Sequence, residues 1–287
     1  MRLLVSDLDR TLVHPARSLP PAQPGVVVEI YQGRGITVAS PGTLAALDEL
    51  AACGAFVPVT TRSEEQLRRI SPVWRCAVRG WAICANGATL LDHGQTDSQW
   101  QAIIEHTGRD SAPLAEARAA FERHIGTPAS VTWMPLLRDC DQRFLYATLL
   151  LAEVPADLQD RASAVLEPLH WRAILHGRKL YALPRHVCKG RALAHLRERT
   201  GADEVMAAGD SLLDLELLRG AEKRWCPRDA ELVTLGQVPP DTRITSHVHV
   251  LAGEQIAESA RDWHRAHPSS PTSSLGGEVP MCQDRRR

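Results

Sequence analysis

Leu3-Leu4-Val5-Ser6-Asp7-Leu8-Asp9-Arg10-Thr11-Leu12 runs from an apolar β-type segment into two carboxylates two residues apart, with a hydroxyl two residues further on. Buried strands seldom finish this way, because a carboxylate taken out of water needs a compensating partner. If the segment forms a central strand, Asp7 and Asp9 stand at its carboxyl end, where open α/β sheets hold their ligands. Their spacing lets two acidic side chains converge with an intervening backbone carbonyl, a donor set suited to one hard divalent cation such as Mg2+. A strand followed by an Asp-initiated turn accounts for the same residues without any chemistry.

The remaining 277 positions must favour one account or the other, and composition already narrows them. A chain of 287 residues suffices for one large or two moderate domains, and two are expected. With 33 Lys and Arg against 34 Asp and Glu, the formal charge is -1. No bulk field then draws nucleic acid or an acidic membrane surface, and a small-molecule partner is expected. Seven cysteines are scattered and never spaced C-x-x-C, which argues against a disulfide framework or a structural zinc site and for reduced thiols. Met1-Arg2-Leu3 leads directly into a strand without the parts of a signal peptide. No apolar run reaches the roughly 18 residues that span a bilayer. A cytoplasmic protein is expected.

Along the chain, residues 14–24 carry four of the 19 prolines. Two β-rich runs, 26–31 and 36–39, flank a Gly-containing connection and read as a hairpin at about 25–39, placed to act as a flap over the acidic strand end. A helix over 43–53 stops at Gly54, a strand over 55–59 ends in Thr60-Thr61-Arg62-Ser63, and helical spacing resumes over 64–70. A third strand, 78–85, is closed by Asn86-Gly87. This alternation predicts a parallel sheet with helices on its faces. Over 92–184 the rhythm changes: helices at 98–106, 112–125 and 156–167 are interspersed with strands at 130–137 and 143–151 and a hairpin at 170–176 and 179–183. These suggest an α+β layer inserted into the first domain, which comprises 1–91 and 185–267. Alternation then returns, with helices at 186–200, 211–219, 228–235 and 253–267 and strands at 204–208, 223–226 and 243–251. The Ser-, Pro-, Gly- and Arg-rich stretch 268–287 is expected to be disordered.

Four stations fall at or beside the predicted strand ends: Asp7-x-Asp9-x-Thr11, Thr60 with Arg62, Lys189, and Gly209-Asp210-Ser211-Leu212-Leu213-Asp214. Each has a structural account of its own. Ser63-Glu64-Glu65-Gln66 is a capping box, Ser211 and Asp214 suit a helix start, and Lys189 fits a solvated first turn, although cations are disfavoured there. Together they supply the components of phosphoryl transfer through an aspartyl phosphate. Asp7 attacks phosphorus, while Asp9 protonates the leaving alcohol and then activates water. Thr60 and Lys189 hold the phosphoryl oxygens, and Asp210 completes the metal site. A cation also offsets the repulsion between phosphate and Asp7, about 1 to 4 kcal/mol at 4 Å across the effective dielectrics of water and a protein surface.

Taken in order, Asp7-Leu-Asp9-Arg-Thr11-Leu, Val57-Pro-Val-Thr60-Thr-Arg62, Cys84-Ala-Asn86-Gly87-Ala, Lys189-Gly190-Arg-Ala-Leu and Gly209-Asp210-Ser-Leu-Leu-Asp214 resemble the motifs of the haloacid dehalogenase superfamily. The insertion between Thr60 and Lys189 resembles the type C2B cap of the Cof-like phosphatases, a group that includes sucrose-phosphate, trehalose-phosphate and mannosyl-3-phosphoglycerate phosphatases. This resemblance implies an α/β fold, a Rossmann-like parallel-sheet core with an inserted α+β C2-type cap. It implies Asp7 as nucleophile, Asp9 as general acid/base, and Thr11, Thr60 and Lys189 as phosphate-handling groups, with Arg62 and Asn86 near the substrate. Mg2+ would be held by Asp7, the Asp9 carbonyl and Asp210, with Asp214 as a further ligand or a carboxylate behind it. Two positions depart from the common pattern: Leu213 replaces an Asn and Arg10 replaces a Gly.

The expected activity is Mg2+-dependent hydrolysis of a small phosphorylated metabolite, with a phosphomutase and a catalytically weak binding or regulatory protein as rivals. The cap should select the substrate, and its polar candidates are Arg138, Asp139, Asp141, Arg143, Arg172, Arg178 and Lys179. Trp133 and Trp171 are read as packing residues, and His247 and His249 as structural residues alternating on the last strand.

Overall fold

The computed structural model describes residues 1–126, 132–134, 136–150 and 153–266. The stretch expected to be disordered lies outside them. Chain order gives β1 (Arg2–Asp7), β2 (His14–Pro15), β3 (Val26–Tyr31), β4 (Arg34–Ala39), α1 (Pro41–Ala52), β5 (Phe56–Val59), α2 (Glu64–Arg68), α3 (Ser71–Ala77), β6 (Trp81–Cys84), β7 (Thr89–Asp92), β8 (Gln95–Thr96) and α4 (Ser98–Thr107). There follow α5 (Leu114–His124), β9 (Leu137–Cys140), β10 (Phe144–Thr148), α6 (Leu158–Leu166), β11 (Trp171–His176) and β12 (Lys179–Pro184). The chain then returns through α7 (Lys189–Thr200), β13 (Glu204–Ala208), α8 (Leu215–Arg219), β14 (Lys223–Cys226), α9 (Glu231–Thr234), β15 (Thr242–Ile244) and α10 (Val250–Arg265).

One sheet runs in the order β15-β14-β13-β1-β5-β6-β7-β8. It is parallel from β15 to β6, with β7 and β8 added antiparallel at one edge. The acidic strand β1 is therefore central, flanked by β13 and β5. Alternation along β1 sends Leu4 into the apolar cluster with Leu47, Phe56 and Ile256 on one face, and Leu3 and Val5 into that with Val57, Trp100 and Leu193 on the other. Asp7 continues the Leu3–Val5 side, the face covered by α7.

The second layer is a four-stranded antiparallel sheet, β11-β12-β10-β9, whose apolar residues pack with Ala117 and Phe121 of α5 and Ala162 and Leu166 of α6. The third sheet, β2-β4-β3, is the expected hairpin with β2 added. Its tip, Gln32 and Gly33, has φ of 50° and 74°, the two left-handed residues of a type I′ turn.

Several sequence expectations need correction. The cap does not begin at residue 92: β8 belongs to the large sheet, and Trp100 and Ile104 of α4 are buried in the core cluster. Of the strand expected over 130–137, residues 130, 131 and 135 lie outside the described residues, 132–134 and 136 are not strand, and β9 starts at Leu137. The strand expected over 243–251 is short, ending at Ile244, and α10 begins at Val250. His247 and His249 are thus not strand residues, and His249 Nδ1 lies 3.2 Å from Asp229. A further helix, α3, begins at Ser71-Pro72, between the helix expected over 64–70 and the strand expected over 78–85. The six described cysteines are unpaired, and among the described residues no helix is long and apolar enough to cross a membrane.

The β2 segment carries a buried titratable group. Burial pushes the His14 imidazole down to about 4, with Asp229 pulling the other way. Between that value and about 6.5 the unfolded chain binds more protons than the folded one, so this group's contribution to stability rises with pH across the window. Acidification below it should cost up to roughly 3 kcal/mol. Thermal midpoints of the protein and of His14→Leu, compared between pH 4 and pH 7, should show wild-type stability falling relative to the variant as pH drops.

Candidate active site

The carboxyl end of the large sheet gathers the side chains that the sequence separates by up to 207 positions, from Asp7 to Asp214. Asp7 is the last residue of β1, and Lys189, the first residue of α7, directs Nζ to Asp7 Oδ1 at 2.5 Å and to Asp214 Oδ1 at 2.6 Å. Lys189 is 1 % exposed. The helix start expected at Ser211 takes the form of a capping box: Asp214 Oδ2 accepts from Ser211 N at 3.0 Å and Ser211 Oγ at 2.8 Å, and also from Asp210 N at 3.2 Å. Both oxygens of Asp214 are thereby engaged. Two glycines permit these approaches. A Cβ on Gly209 would lie 2.4 Å from Asp214 Cβ, and one on Gly87 would lie 2.3 Å from the Cys188 carbonyl at the start of α7.

Asp7, Asp210 and Asp214 each bring a carboxylate oxygen within 4.8 Å of the others, and all three are buried. The Asp7 carboxyl is raised to about 7 by burial, with Lys189 opposing and Asp214 adding to the rise. Burial, with Asp7 and Asp214 nearby, also pushes Asp210 well up. Asp214 is lowered because Lys189 outweighs the effect of burial. Two dry carboxylates that resist ionisation side by side create a demand for positive charge beyond Lys189. Hard oxygen donors of this kind fit Mg2+, with Asp7 and Asp210 the side chains to hold it. The hydrogen bonds of Asp214 suit it to fixing Lys189 and the 209–214 turn.

Asp9 is held differently. Arg62 grips both of its oxygens, from Nε at 2.7 Å and from its second terminal nitrogen at 2.7 Å. Burial alone would raise the Asp9 carboxyl, but the guanidinium outweighs it and holds the group below the usual carboxylate range. At rest Asp9 is therefore a carboxylate. Arg62 also donates to Glu29 on β3 at 2.8 Å, Glu29 accepts from Thr37 Oγ1 at 2.6 Å, and Arg69 lies 3.3 Å from it. The hairpin is thus tied through one fully buried glutamate to the arginine that orients Asp9. Sequence reasoning did not single out Glu29, although an acid inside Val26-Val27-Val28-Glu29-Ile30 is a readable signal. Glu29→Gln should cost about 3 kcal/mol of stability, because Arg62 and Arg69 lose a buried partner. Urea unfolding measures this.

A cavity of about 370 Å3 opens over these groups, between the large sheet, the hairpin and the cap. Asp7, Asp9, Arg62, Lys189 and Asp210 line it. Thr11, Thr60, Asn86 and Asp214 are buried and do not. Thr11 Oγ1 donates to Asp7 Oδ2 at 3.3 Å, and Thr60 Oγ1 accepts from Arg62 N at 3.1 Å. Asn86, at φ 56°, donates its backbone N–H to the Thr60 carbonyl at 2.9 Å, and neither atom of its side-chain amide has a hydrogen-bond partner. Leu213 lines the cavity, so the missing Asn is a change at its wall. Arg10 adopts φ 66°, the left-handed conformation a glycine takes without strain, and reaches toward the cap turn at Gly177.

Of the cap candidates, Arg138, Arg178 and Lys179 line the cavity. Asp139 lies by Arg118, and Arg172 by Glu216. Asp141 and Arg143 are not among the lining residues. Trp133 and Trp171 are buried in the cap core, as expected of packing residues.

The same architecture occurs in solved structures. A haloacid dehalogenase-like hydrolase from Bacteroides thetaiotaomicron aligns at a TM-score of 0.51 and 13 % identity over 91 % of this chain and 99 % of its own. Sucrose-phosphatase from Synechocystis, solved with sucrose and phosphate, aligns at a TM-score of 0.65 and 17 % identity over 91 % of this chain and 99 % of its own. This chain has the haloacid dehalogenase fold. A trehalose-6-phosphate phosphatase related protein aligns at a TM-score of 0.57 and 18 % identity, covering 92 % of this chain and 99 % of that one. No protein-family model and no curated protein sequence matches the chain. The Rossmann-like core with an inserted α+β layer is thus established by fold, and it places the expected motifs at one end of one sheet.

Proposed function

We propose that the protein is a Mg2+-dependent phosphomonoester hydrolase, acting on a small phosphorylated metabolite through a phosphorylated Asp7. The observation that supports it best is the convergence of Asp7, Asp210, Asp214 and Lys189 beneath a covered cavity. Fold likeness to sugar-phosphate phosphatases agrees with it. Bound Mg2+, on Asp7 and Asp210, would supply charge neutralisation between the carboxylate and the incoming phosphate.

In this reading an Asp7 oxygen forms a bond to phosphorus as the bond from phosphorus to the ester oxygen breaks. Lys189 steadies the phosphoryl oxygens, which gain charge. The departing alkoxide takes a proton from Asp9, which must first have gained one from solvent, and Asp9 returns to its carboxylate form. Asp9, again a carboxylate under the Arg62 clamp, then removes a proton from water. The water oxygen bonds to phosphorus, the bond to Asp7 breaks, and inorganic phosphate leaves. Since the clamp favours the ionised form, esters whose leaving group departs unprotonated should be turned over most readily.

The test is phosphate release from a panel of sugar, nucleoside, polyol and aryl phosphates with and without Mg2+, run beside Asp7→Asn. Asp7-dependent, Mg2+-dependent release supports the assignment. Absence of such release from every compound, the aryl phosphate included, overturns it.

A further inference from the structure

The phosphoryl-handling groups occupy one wall of the cavity, and the opposite wall has a chemistry of its own. Strand pairing in the cap sets Arg138 opposite Tyr146 and Tyr146 opposite Tyr181, with Thr148 opposite Lys179 in the next row of the same face. The intervening Leu145, Ala147 and Leu180 turn to the other face and are buried in the cap core. The sheet therefore presents a polar, cationic face to the cavity, and Arg178 joins it from the β11–β12 turn.

Eight cationic side chains line this cavity against four carboxylates, Asp7, Asp9, Glu29 and Asp210. Lys189, Arg62 and Arg69 each have a carboxylate partner. Arg10, Arg17, Arg138, Arg178 and Lys179 have none among the described residues. Lys179 instead lies over the rings of Tyr146 and Tyr181 at 5.5 and 5.9 Å. With a charge of only -1 on the whole chain, this surplus is a local property of the cavity. One phosphoryl group on Asp7 is already served by Lys189 and by the cation the acidic cluster fits.

We propose that the substrate bears a second anionic group, a carboxylate or a phosphate, held by Arg138, Arg178 and Lys179 while its phosphoryl end meets Asp7. This deepens the phosphomonoesterase reading and rests on it. Guanidinium groups offer paired donors that match either oxyanion, and such charge-assisted bonds are the stronger kind. Arg10 and Arg17 close the ring from the core side.

Three compounds of one carbon skeleton test the idea: glycerol phosphate, phosphoglycerate and glycerol bisphosphate. Phosphate release should show kcat/KM for one or both of the doubly anionic compounds at least about tenfold above glycerol phosphate. Calorimetry on Mg2+-loaded Asp7→Asn should show the same order in Kd. Arg138→Ala with Arg178→Ala should collapse the preference, while Arg161→Ala, on α6 outside the cavity, should preserve it. The carboxylate and bisphosphate arms identify which anion is taken. Equal kcat/KM and equal Kd for all three compounds overturn the proposal, as does a preference that survives the double substitution. If no compound, including an aryl phosphate, is hydrolysed, the phosphatase reading fails, and the binding series still decides whether a second anion is recognised.

Discussion

If the proposed mechanism holds, Asp7→Asn is expected to abolish Mg2+-dependent phosphate release, by roughly 10^4-fold or more, because it removes the oxygen proposed to attack phosphorus rather than a group that assists it. An amide oxygen at the end of β1 has the size of the carboxylate but neither its nucleophilicity nor its charge. The substitution also makes a pH prediction that folding experiments can read without any substrate. With its carboxyl raised to about 7 by burial, despite the opposing Lys189, Asp7 keeps a proton in the folded state that the unfolded chain releases near 4. The folded state then binds more protons across that window, so this group's contribution to stability falls as pH rises from about 4 to 7. In chelator, the stability difference between the protein and Asp7→Asn should change by that amount across the window, and added Mg2+ should shrink the change. Undiminished phosphate release by Asp7→Asn would remove Asp7 from the mechanism.

Much of this arrangement was legible in the residues, and the reasons are local. Carboxylates at the end of an apolar strand, a lysine where a helix dipole disfavours cations, and a Gly-Asp turn each violate a simple structural expectation, and together they mark one site. The capping box at Ser63 and the helix start at Ser211 were equally readable, because they depend on residues three apart. What failed depended on how elements pack together. The edge strands β7 and β8 close the first part of the core through local antiparallel pairings, and the helical pattern of α4 behind them resembles the inserted layer, so a change of rhythm at residue 92 looked like a domain boundary although α4 packs on the core. His247 and His249 alternate as strand residues do, yet a histidine at φ 54° opens a helix there and faces Asp229, twenty residues upstream.

Glu29 and the cap face illustrate the same limit at the site itself. The acid inside the β-branched run of β3 is visible in the sequence, but its partners Arg62 and Arg69, from a different part of the chain, are not. The alternation of Tyr146 and Thr148 with Leu145 and Ala147 was present in the sequence. Which face met the cavity required the register with β9 and β12. The hairpin, Arg62 and Asp9 form a chain of contacts in which a change at Glu29 acts on Asp9 through Arg62, so hairpin stability and Asp9 orientation are coupled.

Lys189→Met should be the most destabilising single substitution in the site. The lysine amine is nearly inaccessible and bridges Asp7 and Asp214 at 2.5 and 2.6 Å, with Asp210 in the same cluster. Methionine fills comparable volume but leaves Asp7 and Asp214 buried without their cation, a loss of about 3 to 5 kcal/mol. At roughly 2 to 4 °C per kcal/mol for a domain of this size, the thermal midpoint should fall by about 10 °C. The pH dependence fixes the cause. Burial would lower the Lys189 amine, but Asp214 and Asp7 raise it above the ordinary lysine value. Its stabilisation is therefore fully present below about 10.5 and is lost only as pH rises through the folded value. The gap between the protein and Lys189→Met should persist from neutral pH to about 10. It should narrow in acid, where the carboxylates of the variant take up protons. Mg2+ should restore part of the lost stability to Lys189→Met by supplying charge to the same carboxylates, without restoring phosphate release. A midpoint within about 2 °C of the unsubstituted protein would mean that the three carboxylates do not depend on this lysine.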